Sequence, residues 1–158
     1  MKTIAQQIAA MRADYPEFQL RHEDGRTAVW RGRLKPTRQR SYLIQVEYST
    51  PIIGTMFTIG QVQPYVRVLD PKLERHPDYE EGPIPHVYRD SEDLDHPVLC
   101  LFSLEGKEWT LDDLISDTTI LWAARWLYFY EGWLATKKWL GGGRHATQLK
   151  REMPLAAV

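Results

Sequence analysis

The sequence has one cysteine, almost no net charge and no long apolar run, and each shortage excludes something. A lone thiol, Cys100, rules out an internal disulfide and fits a reducing compartment. Twenty basic against twenty-one acidic side chains leave a formal charge of -1, without the basic surplus expected of a nucleic-acid binder. Arg31, Arg33, Lys35, Arg38 and Arg40 could form a local patch, but a basic stripe on hairpin strands ordinarily reads as a solvated face. No window reaches the ~18 apolar residues of a membrane span, and the N-terminus lacks a signal-peptide core. A cytoplasmic protein is expected, with no membrane and no nucleic-acid partner.

What is present suits one folded domain over residues 1–158, with a core of about 2–140 and a Gly-rich turn and tail at 141–158. Apolar residues make up 43% of the chain, enough to build a core without metal or disulfide staples. Ile4, Ile8 and Met11 recur at helical spacing up to Pro16, predicting a short helix over residues 2–14. A strand is expected at 27–34, and a hairpin loop at 36–40 leads to the clearest strand, 41–49, where Tyr42, Ile44, Val46 and Tyr48 alternate with polar neighbours. Residues 50–60 read either as a loop or as an irregular extra strand through Met56, Phe57 and Ile59, and 63–69 is the next strand.

Residues 70–97 are too rich in proline for regular structure, and a long ordered loop in a compact domain usually has a function. Thr110 to Asp113 forms an imperfect capping box, predicting that a long helix starts there and runs, with apolar residues from Leu114 to Trp133 at steps of three and four, to the glycines at 141–143. The result is an α+β layout: N-terminal helix, antiparallel meander of about four strands, long loop bearing the cysteine, long C-terminal helix.

Taken alone, Cys100 in V-L-C-L-F reads as a buried thiol. Its surroundings change that reading. The strand Q-P-Y-V-R-V-L precedes I-P-H-V-Y, then L-C-L-F, then E-W-T and a helix. This order resembles the ubiquitin-conjugating fold, whose landmarks are P-x-V-R-F, H-P-N-V-Y, I-C-L and W-T-P, over residues 2–134. The segments W-A-A-R-W-L-Y-F-Y-E-G-W-L and W-L-G-G-G-R-H resemble a bacterial branch of that superfamily, found beside cGAS-like nucleotidyltransferases in antiphage (CBASS) operons.

The resemblance implies that Cys100 accepts the C-terminus of a partner protein, a cGAS-like nucleotidyltransferase, as a thioester. It passes this acyl group to an amine or other nucleophile, with a separate activating enzyme upstream. One thiol suffices for this, because a thiolate attacks activated acyl groups and the thioester stays reactive toward amines. The asparagine of H-P-N, which supports the oxyanion, is replaced by His86. An imidazole N–H could donate to a developing oxyanion, and a neutral ring could accept a proton. Tyr88, Trp109 and His145 are candidate supports of the site.

His96-Pro97 lies too near Cys100 to be the H-P-N segment and is read as a decoy. Zinc on His86, His96, Cys100 and His145 is disfavoured by Pro97 and the strand-like flanks, and G-G-G-R-H lacks the lysine of a phosphate loop. No cofactor or metal is therefore expected. The alternative function is a binding module that keeps the fold without turnover, sequestering or scaffolding the nucleotidyltransferase.

Overall fold

The computed structural model describes residues 1–51, 63–88, 93–102 and 108–143. The expected extra strand through Met56, Phe57 and Ile59 lies outside them, as do His145 and part of the acidic insert after Tyr88. The described elements are helix α1 (Ile4–Asp14), strands β1 (Gln19–Glu23), β2 (Thr27–Leu34), β3 (Tyr42–Ser49) and β4 (Tyr65–Asp70), and helix α2 (Thr119–Thr136). The strands form one antiparallel meander in the order β1-β2-β3-β4, so the α+β layout with a four-stranded sheet is as expected.

β1 is the one described strand that the sequence reading missed. All five of its residues are exposed, so they carry no apolar alternation, and the strand exists through pairing with β2. The β2–β3 pair runs in unbroken register from Thr27 opposite Ser49 to Leu34 opposite Tyr42. That register places Ala28, Trp30 and Leu34 on the same face as Tyr42, Ile44, Val46 and Tyr48, all buried. Ile120, Ala123, Leu127, Tyr130 and Trp133 of α2 complete the core against this face, with Tyr130 set edge-on to Tyr42.

Helix α1 starts at a true capping box, in which Thr3 and Gln6 satisfy each other's backbone N–H groups. The box expected at Thr110 does not start a helix. Asp113 accepts from the Thr110 N–H and hydroxyl at 2.6 and 2.9 Å, and this closes a tight turn. Continuation as a helix is blocked by α1: Leu111 O accepts from Lys2 N, Asp113 O accepts from Gln7 Nε2, and the Ile115 N–H donates to Gln7 Oε1. These backbone groups are spent on a tertiary clamp, so α2 begins only at Thr119.

The other end of α2 is also earlier than the glycines suggest. Lys137 takes a left-handed conformation (φ 63) and ends the helix, with its N–H on Trp133 O. Glu80, in the Pro-rich loop, clasps this exit: its N–H donates to Lys137 O, its carbonyl accepts from Trp133 Nε1, and its carboxylate accepts from Trp139 N. The clasp turns residues 137–143 back over the face of α2, toward the cysteine.

Candidate active site

Cys100 sits in a fragment of extended chain inserted between β4 and the end of the Pro-rich loop. Leu99 N donates to Val66 O, and Arg67 pairs with Val98. On the other side Val87 pairs with Leu99, Tyr88 N donates to Val98 O, and Cys100 N donates to His86 O at 2.9 Å. In an antiparallel pair, residues directly opposite each other share a face, so His86 and Cys100 are neighbours by register. The order of landmarks along the sequence becomes proximity because two short segments pair as strands.

The His86 carbonyl is held twice, since Trp126 Nε1 of α2 also donates to it at 3.1 Å. His86 has φ 47, a left-handed conformation that costs a non-glycine residue energy, and such strain persists only where the surroundings enforce it. Its ring stacks on Trp139 at 5.0 Å between centroids, and its Nε2 lies 2.7 Å from a carboxylate oxygen of Glu81. Glu81 itself has φ 57.

The half-buried Cys100 opens onto a groove of about 1110 Å³. His86 and Gly141–Gly143 form one wall, Phe102 and Glu108 another, and Trp122, Arg125 and Phe129 of α2 contribute a third. Trp139 sits in the groove against Trp126 and Phe129. The thiol therefore faces an aromatic channel with one acidic and one basic side chain.

Burial pushes the Cys100 thiol above its ordinary range, and the Glu108 carboxylate pushes in the same direction. The Tyr88 hydroxyl, hydrogen-bonded to the sulfur, opposes both without cancelling them. Tyr88 is itself raised well above an ordinary phenol, chiefly by burial. The resting thiol is thus protonated at neutral pH, suited to being loaded by an already activated acyl group.

Residues 7–146, most of the chain, match the family model for type II CBASS E2 proteins. The chain belongs to that family. No curated protein matches it at a significant level. The E2-CBASS match spans the sheet, the cysteine segment, α2 and the turned-back exit.

Of the residues singled out in the sequence, Cys100 and His86 line the groove and Tyr88 touches the sulfur from beneath it. Trp109 is elsewhere, buried edge-on against Tyr48 of β3. His96 bonds Asp93 at 2.7 Å and lends its carbonyl to Arg67, away from the groove. Among the described residues no group of three or more His, Cys, Asp or Glu could hold a metal ion, and no helix is long and apolar enough to cross a membrane. Glu81, Glu108 and Trp139 were not foreseen. Each reaches the site from a loop or a helix exit, where no periodic spacing signals a role.

Proposed function

We propose that this CBASS E2 protein is a cysteine acyltransferase built on a ubiquitin-conjugating-like fold. Cys100 accepts the C-terminal carboxyl group of a partner protein, a cGAS-like nucleotidyltransferase, from an activating enzyme. It hands the acyl group to an amine or other nucleophile, and the transfer regulates antiphage signalling. His86 assists the tetrahedral step. The single cysteine suits a bacterial cytoplasm, where the thiol stays reduced.

The supporting observation is the half-buried thiol at the wall of a groove of about 1110 Å³, with His86 paired to it through the backbone. A cysteine serving only as core filler would not open onto a groove wide enough for an extended peptide. The protonated resting thiol also fits a carrier that waits for an activated donor, in contrast to a protease-type nucleophile activated beforehand.

Co-expression with neighbouring operon proteins, followed by intact-mass measurement, tests the reading. An adduct that disappears with hydroxylamine or thiol reductant and never forms on Cys100→Ala is the expected result. A complex that forms without any covalent adduct would instead favour a non-turnover module that sequesters or scaffolds the nucleotidyltransferase.

A further inference from the structure

The contact between Glu81 and His86 does more than fill the loop. The side chain of His86 is only 5% exposed and that of Glu81 26%, so the carboxylate and the imidazole meet in a site where few waters can substitute. Both residues hold left-handed backbone conformations, φ 57 and φ 47, so the turn carries strain at two non-glycine positions to bring them together. Trp139 stacks on the ring and fixes its plane. Gly143 stands at the opposite edge: a Cβ there would lie 2.9 Å from Cε1 and 3.3 Å from Nδ1. Gly143 also lines the groove, so the residue beside the Nδ1 edge is one without a side chain.

From this arrangement we infer that Glu81 is a positioning residue that holds the His86 proton on Nε2, leaving Nδ1 as the acceptor and making the imidazole a proton acceptor for the incoming amine. The inference rests on the transferase reading above and extends it, because the sequence left open whether His86 donates to the oxyanion or takes up a proton. A carboxylate beside one ring nitrogen fixes the tautomer, since a carboxylate only accepts hydrogen bonds and therefore draws the N–H to that nitrogen. The other nitrogen of the neutral ring then has a lone pair and no proton to give.

In the transfer step the amine nitrogen attacks the thioester carbon, forming a C–N bond while the C–S bond breaks. The proton shed by the nitrogen moves to His86 Nδ1, directly or through one water, and the electron pair of the broken bond leaves on Cys100 Sγ. The proton then passes from the imidazolium to the thiolate, which restores the neutral ring and the thiol. Glu81 stabilises the transient imidazolium without itself gaining a proton, as an orienting carboxylate does in other imidazole-assisted acyl transfers. The charged or titratable groups around the ring are Glu81 and Glu80 from the loop, Cys100 and Glu108 across the groove, and Arg125 from α2.

The test loads full-length protein by exchange with a synthetic peptide thioester, so that no activating enzyme is needed, and follows discharge to free lysine by intact mass from pH 6 to 9. Glu81→Gln should load at the wild-type rate and discharge on the order of tenfold more slowly, with an altered pH profile, and Glu81→Asp should recover part of the loss. Nitrogen-15 shifts of His86 in the unloaded wild-type protein should report a proton on Nε2. Wild-type discharge by Glu81→Gln with an unchanged profile, or a wild-type His86 protonated on Nδ1 alone, overturns the inference. Failure of the wild-type protein to load at all would sink the transferase reading, and the nitrogen shifts alone would then decide whether Glu81 sets the tautomer.

Discussion

The amide of Cys100 donates to the carbonyl of His86 at 2.9 Å, and this one backbone bond ties the thiol to the residue opposite it. The same carbonyl also takes the indole N–H of Trp126, so α2 sets the depth at which the pair sits. Trp126→Phe keeps the ring stacked on Tyr130 but removes that N–H. It is expected to cost about 1 kcal/mol, the usual net worth of a buried hydrogen bond, and to slow acyl transfer because His86 loses one of its two restraints. Urea denaturation and single-turnover discharge measure the two effects; discharge at the wild-type rate would separate Trp126 from the site.

The environment of Cys100 predicts a sluggish free thiol. Because burial and then Glu108 raise it, the thiolate fraction should still be climbing where an ordinary cysteine has levelled off. Alkylation by iodoacetamide is expected to keep accelerating above pH 9. Glu108→Gln removes the repulsion felt by the thiolate, so alkylation at neutral pH should speed up by about twofold, an effect that shrinks in high salt because Glu108 is exposed. An alkylation curve that levels off below pH 8 would contradict the burial argument.

Buried phenols make the fold sensitive to alkali. Tyr48 and Tyr130 are both pushed up to about 12, chiefly by burial, against about 10 in an unfolded chain. The folded protein therefore holds these protons more tightly than the unfolded one. The stability they contribute is complete below pH 10 and is lost as the pH rises toward 12. The Tyr48 hydroxyl has no hydrogen-bond partner among the described residues, so Tyr48→Phe should be at least as stable at pH 8 and lose less stability by pH 11. Urea midpoints at the two pH values check both signs.

Gln7 is fully buried, and its amide holds α1 to the chain before α2 by accepting from Ile115 N and donating to Asp113 O, each at 2.9 Å. Gln7→Leu leaves both backbone groups unsatisfied inside the protein, at a cost of about 2–4 kcal/mol. Hydrogen exchange at the Ile115 amide should rise far more than exchange within β3. An unchanged melting temperature would mean that water takes over the clamp.

By itself the sequence determined the elements whose residues announce their own period or chemistry. The alternation in β3, the apolar stripe of α2 and the spacing of α1 are visible because each buries one face against the core, and burial selects residue type at fixed intervals. The ordered landmarks around Cys100 were legible for a related reason, since the chemistry needs particular side chains in a particular order.

Tertiary structure alone decided where α2 begins and ends, that Gln19–Glu23 is a strand, and that Glu81 meets His86. In each case the deciding bonds join backbone or loop groups far apart in sequence: Gln7 to Ile115, Glu80 to Lys137, β1 to β2. Such bonds satisfy whichever polar groups the fold brings within reach, and they leave no periodic mark on the residues that make them.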